Sequence, residues 1–334
     1  MSDGADRHAD QIKRIYRSLL GREPEAQALA NAHDPLDVAL SVARSPEYRQ
    51  RIEADYQARL GETQDYWITP TANGHLVTHL ADEVIGRAIR HGGAFQESDV
   101  ARLLDLSART GLGVGKEVFV DVGSNIGTHT LSALNAGFGR ALCIEPDPTN
   151  FRILRANQVL NGWDGRCINV AARASDRSGT AELGLSTQNF GDHRLHTAVP
   201  QGGLYDEDTR ATVQVDLARL DEIVANAGLN TRDIGLVWID TQGHEGQVLA
   251  GMRGIRAELR APIVLEFWPY GLERSGNFEL LKREIGQRPV HDLSACLARG
   301  DLAGLGCDSL DDLFVRLRGA ERAEAASFTD LLLL

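Results

Sequence analysis

Two acids and two glycines in this chain have the types and spacing that a cationic, ribose-bearing ligand requires. Residues Val118 to Gly127 read V-F-V-D-V-G-S-N-I-G, an apolar run closing on Asp121 and followed by Gly123, Asn125 and Gly127. Glycines in such a turn let the backbone approach a ligand, and a following helix offers N–H groups at its start. A dinucleotide turn carries G-x-G-x-x-G, with glycines where pyrophosphate must sit. Here the spacing is G-x-x-x-G, and an acid stands at the strand end. A carboxylate repels pyrophosphate and attracts an ammonium group. Glu145 closes the next apolar run, where an acid accepts hydrogen bonds from ribose hydroxyls. The pair therefore predicts S-adenosylmethionine over a dinucleotide. Ser124 and Thr128 complete the turn, and Pro146 follows Glu145. The bland alternative is a tight strand-to-helix turn with no ligand.

The elements that must position these residues follow from hydrophobic periodicity. Val118–Asp121, Ala141–Glu145, Cys167–Ala171, Leu236–Asp240 and Ile263–Phe267 are short apolar runs that read as buried parallel strands. Helices are predicted between them near 128–136, 150–159, 220–227 and 245–252, the rhythm of a doubly wound α/β sheet. Residues 179–185 and 212–217 alternate instead, predicting an antiparallel excursion around 186–211. Late strands are predicted near 289–293 and 328–333. Before residue 63 the pattern is helical, with Ile12, Ile15, Tyr16, Leu19 and Leu20 at helical spacing and Ser45-Pro46 opening a later helix. The expected organisation is a helical accessory domain over 1–62, a connector and lid over 63–115, and the α/β domain over 116–334. Within the lid, residues 61–75 read as a connector and 76–110 as helix split at 91–93.

Bulk properties narrow the function. A formal charge of −12 argues against nucleic-acid backbones and anionic membrane surfaces as partners. The four cysteines have no paired spacing, so a disulfide framework and a zinc site are not expected, and a reducing cytoplasm is. The polar N-terminus is unlike a signal peptide, and no apolar run approaches membrane-spanning length. No metal site is predicted, because no ligand spacing is diagnostic. Oligomeric state is not readable from the sequence.

The ordered motifs resemble the FkbM family of S-adenosylmethionine-dependent methyltransferases. They are Phe119 to Gly127, Ile144 to Pro148, the helix carrying Asn157 and Asn161, Asn169 to Ala172 with Gly179, Val215 to Asp221, Ile239 to Glu245, and Ile263 to Glu266. The resemblance covers about residues 75 to 334. It implies a Rossmann-like class I methyltransferase sheet, and a methyl donor used on hydroxyls of sugars or polyketides. It also implies that Phe95-Gln96-Glu97 closes over the donor. One departure is Gln242, where the family often has an acid. Separately, Ile15 to Pro24 and Ser45 to Tyr48 resemble a small helical bacterial domain often attached to glycan enzymes.

If the acceptor is a hydroxyl, a base should take its proton as the methyl group arrives, for a gain of about 10²–10⁴-fold. That base belongs beyond the carboxyl ends of the strands. Asp240 ends such a strand, and His244 and Glu245 follow it. His244 and Asp240 lead as candidate bases, with Asp240 also expected beside the donor. Glu245 and Glu266 are candidate acceptor-binding groups. The alternatives are a helix-capping Glu245, a surface His244, an Asp240 that touches ligand without taking a proton, and a structural Glu266. Asn189 to His196 reads as a substrate loop, in which His193 is a further candidate base and Asp192 and Arg194 bind acceptor; a solvated hairpin tip is the alternative. Ala172 and Asp176 are candidate neighbours of adenine. The expected activity is O-methyl transfer to a small-molecule or glycan acceptor, first a sugar hydroxyl in glycan or glycolipid biosynthesis, with a polyketide or other natural-product hydroxyl as runner-up and a non-catalytic donor-binding scaffold as the competing class.

Overall fold

The computed structural model describes residues 2–31, 34–51, 65–96, 99–195, 204–205, 207–322 and 327–334. The chain forms two units, Met1–Asp65 and Tyr66–Leu334.

The first unit is helical over its described residues, with helices Ser2–Leu20, Ala26–Asn31 and Pro35–Arg44. Ile12 is buried, as its periodicity requires. Asp34 caps the third of these helices by accepting from Leu36 N at 2.8 Å. Ser45 Oγ accepts from Tyr48 N at 3.1 Å, the cap that Ser45-Pro46 predicts.

The second unit is built on a seven-stranded sheet. Its strands, with the hairpin and excursion strands numbered in chain order, are β1 (Tyr66–Thr71), β2 (Gly74–His79), β3 (Val118–Val122), β4 (Arg140–Ile144), β5 (Cys167–Val170), β6 (Arg173–Ser175), β7 (Gly179–Gly184), β8 (Arg194–Leu195), β9 (Thr212–Arg219), β10 (Ile234–Ile239), β11 (Ile263–Phe267), β12 (Val290–Asp292) and β13 (Thr329–Leu333). The main sheet has the order β12-β13-β11-β10-β3-β4-β5. β3, β4, β5, β10 and β11 run parallel, while β13 pairs antiparallel with β11 and β12. This is the doubly wound, Rossmann-like methyltransferase sheet that the motif order implies. The chain leaves β3 towards β4 on one side and returns to β10 on the other, so the crevice beyond the ends of β3 and β10 is a topological switch point. β3, β10 and β11 are buried along their whole length, which explains their unbroken apolar runs. The predicted excursion is a second sheet of order β6-β9-β7-β8. Among the described residues, no helix is long and apolar enough to cross a membrane.

Residues 66–79 depart from expectation. They form an antiparallel hairpin in place of a connector and the start of a helix. Trp67 to Thr71 and Gly74 to His79 pair across an Ala72-Asn73 turn, and the apolar spacing that continues into 85–92 masks the hairpin. Helices then run over Ile85–Gly92 and Asp99–Thr110, so the split near 91–93 stands. Residues 66–115 lie in the same compact unit as the sheet.

Candidate active site

The turn after β3 is held by its own groups and by the end of β4. Gly123 N and Ser124 N both donate to the Ile144 carbonyl, at 2.9 and 3.0 Å. Asn125 N donates to Glu145 Oε2 at 2.8 Å, Ile126 N to Asn125 Oδ1 at 2.7 Å, and Gly127 N to the Ser124 carbonyl at 2.8 Å. The N–H groups from 123 to 127 are thus engaged, and they form no pyrophosphate cradle. Gly123 and Gly127 have φ of +86° and +93°, where a side chain is strained. A Cβ on Gly123 would fall against the Asp240 carbonyl oxygen, so this glycine brings the ends of β3 and β10 together.

Glu145 is fixed from both sides, since its Oε1 also accepts from Asp147 N at 2.8 Å. Each carboxylate oxygen keeps a lone pair for a ribose hydroxyl. Burial raises its pKa to about 8. Asp121 lies beneath the turn rather than on the cavity wall: it is 1% exposed, and Thr130 Oγ1 donates to its Oδ2 at 2.5 Å. Its Oδ1 has no hydrogen-bond partner, and burial raises its pKa to about 7.

A cavity of about 280 Å³ opens above these residues. Ser124, Asn125, Thr128, Glu145, Pro146 and Ala172 line its donor end. Asp240, Gln242, Glu266, Tyr205 and Trp268 line the other. Gln242 Nε2 donates to Asp240 Oδ1 at 2.7 Å and to Glu266 Oε2 at 2.9 Å. Burial raises the pKa of both carboxyls, Glu266 well above the usual range. Arg173 is buried between the two ends and donates to the Thr241 carbonyl. Its burial lowers its pKa to about 10, against the pull of Glu245, Glu145 and Asp240.

The predicted substrate loop roofs the donor end. The Phe190 carbonyl accepts from Asn125 Nδ2 and Asn150 Nδ2, each at 2.9 Å. Glu83 N donates to the Gln188 carbonyl at 2.7 Å, and the Phe190 ring lies 4.7 Å from that of His79. Asp192 and His193 are buried, so this stretch is no solvated tip. His193 Nδ1 accepts from Ser186 N at 3.0 Å, which puts the neutral ring's proton on Nε2, 3.9 Å from Asp147 Oδ1. Asp192 pairs with Arg210 at 2.5 Å and with Arg194 at 2.6 Å. Arg194 also pairs with Glu207 at 2.6 Å and lies 5.0 Å over the Trp268 ring. It faces a second cavity of about 460 Å³, behind Arg173 and Gln242.

His244 also lines this second cavity and not the first. Its Nε2 is 3.0 Å from Ser175 Oγ, and burial holds its pKa well below the ordinary histidine value. Glu245 lines neither cavity; its Oε1 accepts from Thr241 N, Thr241 Oγ1 and Gly243 N at 3.0–3.1 Å. It ties down the loop at the start of helix Glu245–Gly251. Asp176 lines the second cavity, away from the donor end where Ala172 sits. Phe95 and Gln96 line the first cavity. Glu97 and His196 lie outside the described residues. Among the described residues, no cluster of three metal-ligating side chains forms.

The sequence reading missed Arg173, Gln242 as a bridge, and the Tyr205–Trp268 wall. Arg173 had one signal, a charged residue inside the small apolar run Ala171 to Ala174. The residues present suit a sulfonium donor. A fixed carboxylate stands for its ribose, an unpartnered buried Asp121 oxygen supplies negative field, and the turn has no free N–H row to attract an anion.

Comparison with known proteins agrees with this chemistry. Residues 121–278 match the methyltransferase FkbM domain. No curated protein matches the chain. Among solved structures, a methyltransferase FkbM from Methylobacillus flagellatus KT is 15% identical with a TM-score of 0.34, the match covering 85% of this chain and 56% of that one. An S-adenosylmethionine-dependent methyltransferase from Agrobacterium tumefaciens is 12% identical, with a TM-score of 0.36 and coverage of 67% and 59%. The precorrin-6y C5,15-methyltransferase of Geobacter metallireducens GS-15 is 15% identical, with a TM-score of 0.32 and coverage of 57% and 72%. The chain thus spans little more than half of the first two proteins.

Proposed function

From a methyltransferase FkbM domain over residues 121–278, with S-adenosylmethionine as its donor, we propose O-methyl transfer to a sugar hydroxyl in glycan or glycolipid biosynthesis. One observation carries this reading: a single cavity joins the Gly123 turn and Glu145 to a wall of buried carboxyls and aromatic rings. A sugar offers hydroxyls to Asp240 and Glu266 and a C–H face to Trp268 or Tyr205. An apolar polyketide face would offer nothing to the Asp240 and Glu266 oxygens that Gln242 does not engage, which is costly. The helical N-terminal unit, similar in sequence to a domain found on glycan enzymes, adds support. The free cysteines suit a cytoplasmic location.

The bound donor supplies an electrophilic methyl group. Glu145 accepts hydrogen bonds from the ribose, and Asp121 favours the donor's positive charge from beneath the turn. Asp240 takes the acceptor hydroxyl's proton, because it faces the cavity and His244 does not. The 188–193 roof and Phe95 keep water from the methyl group.

Calorimetry with S-adenosylmethionine is the first test; no binding at millimolar donor sinks the reading. A screen over nucleotide sugars, glycan oligomers and polyketides follows. Turnover of polyketides alone would overturn the sugar assignment, and donor binding without turnover of any hydroxyl would favour a scaffold. Asp240→Asn is expected to lower kcat by at least about 10²-fold with donor affinity kept.

A further inference from the structure

We propose that Asp240 and Glu266 act as one acid–base pair sharing a single proton, with Glu266 its protonated member, Asp240 the proton acceptor, and Gln242 the positioning residue that holds both. This rests on the hydroxyl-acceptor reading above.

Three observations lead here. Both carboxyls accept from the same Gln242 nitrogen, so they lie close together in a buried site, and like charges so placed favour a proton on one of them. Both sit at the cavity end opposite the donor turn, at the ends of adjacent parallel strands β10 and β11. The Gln242 amide then donates to one oxygen of each, at 2.7 and 2.9 Å. Gln242 holds this position with φ of +53°, an unusual backbone for a non-glycine residue and one often retained at working sites. An acid at 242 would have no hydrogen to donate while ionised, and would put a second negative charge against the pair.

The surrounding charges decide which member keeps the proton. Glu266 faces Asp240, Glu245, Asp330 and Asp192, all acids, with Asp330 its cross-strand partner on β13. Asp240 faces Arg173, which favours its ionised form, as well as Asp192. Asp121 beneath the turn feels Asp240, and Asp330 in turn faces Asp99 and Asp292. The proton therefore rests on Glu266, and Asp240 is left as the carboxylate. In the reaction, the acceptor O–H proton passes to an Asp240 oxygen while the acceptor oxygen bonds to the methyl carbon. The methyl–sulfur bond breaks, its electron pair stays on sulfur, and the proton on Asp240 leaves to solvent after product release. Glu266 ends with the proton it began with.

Glu266→Gln imitates the protonated acid in shape and donor capacity. The pair predicts a wild-type kcat profile with an acid limb from Asp240 and an alkaline limb from Glu266. Glu266→Gln should lose the alkaline limb and keep the acid limb. An alkaline limb that survives overturns the pair. Gln242→Met removes the amide donor at equal length; it should lower kcat more than it changes KM and move the acid limb to higher pH. An unmoved acid limb removes Gln242 from the positioning role. Infrared difference spectra of donor-free protein at neutral pH give a readout independent of turnover. Wild type should show one more protonated carboxyl than Glu266→Gln. Equal spectra mean an ionised Glu266 and overturn the proposal, whether or not any hydroxyl acceptor is found.

Discussion

Asp240 and His244 stand four residues apart, yet they face different cavities. The separation arises at Gln242 and Gly243, whose φ of +53° and +92° turn the chain so sharply that the imidazole passes to the far side of Arg173. Both residues look equally suited as bases by type and spacing, and a left-handed turn at a glutamine leaves no local signal. His244 bonds to Ser175 and is buried in neutral form. His244→Ala is therefore expected to keep kcat within about threefold while costing about 1–2 kcal/mol of stability, from the unpaired Ser175 and the lost packing. Steady-state kinetics with urea denaturation check this; a rate loss of hundreds-fold with donor affinity unchanged would return His244 to the chemistry. Glu145 closes an apolar strand and lines the cavity, whereas Asp121, which closes another, lies beneath the turn against Thr130.

At the scale of elements, the helix Pro148–Leu160 does more than cover the sheet. Asn157 and Asn161 are one helical turn apart, about 6 Å along the axis. Two strand residues span nearly the same distance. The match lets Asn161 grip His75 N and O at 2.9 and 2.7 Å, and Asn157 grip Val77 N and O at 2.6 and 3.2 Å. Asn157 also reaches the Ile126 carbonyl at 2.9 Å, so a single side chain ties the hairpin to the cofactor turn. Asn157→Ala leaves buried polar groups unpaired and should cost about 2–3 kcal/mol. Donor affinity should fall with it, because the turn loses its outer support. Denaturant midpoints and calorimetry test the two effects; a midpoint within error of wild type would show that the hairpin needs no such tie. The hairpin itself escaped the sequence reading. Its edge bonds to asparagine side chains, which periodicity does not register.

Over the whole molecule, the acidic balance has a buried component. Burial raises the pKa of Asp121 to about 7, and of Glu145 and Asp330 to about 8. In the unfolded chain these groups ionise near pH 4. Their folded forms therefore bind more protons, and stability falls as pH rises towards 8. His129 has the opposite sign: burial lowers its pKa to about 4, so it penalises the folded state as pH falls below about 6.5. The two effects compete between about pH 4 and 6.5, and above that the carboxyls act alone. Donor-free protein should lose stability from pH 6.5 to 8, by up to about 1.4 kcal/mol per pH unit for each carboxyl still titrating. Denaturation at the two pH values checks this, and a rise in stability over that window would contradict it.

Strand positions, the donor turn and the methyltransferase class follow from local facts. Apolar runs of strand length, glycines in a fixed turn and acids at strand ends are constraints that act within a few residues. The identity of the working acceptor-side groups is of another kind. Arg173, Gln242, Glu266 and Trp268 come from three separate segments, and they meet only because β6, β10 and β11 deliver their ends to one crevice. Burial there raises the pKa of both carboxyls, and the charges the fold gathers, Arg173 at Asp240 and only acids at Glu266, place a proton on one and deny it to the other. Burial is a property of the folded whole, so the chemistry of the acceptor end was decided by the tertiary structure.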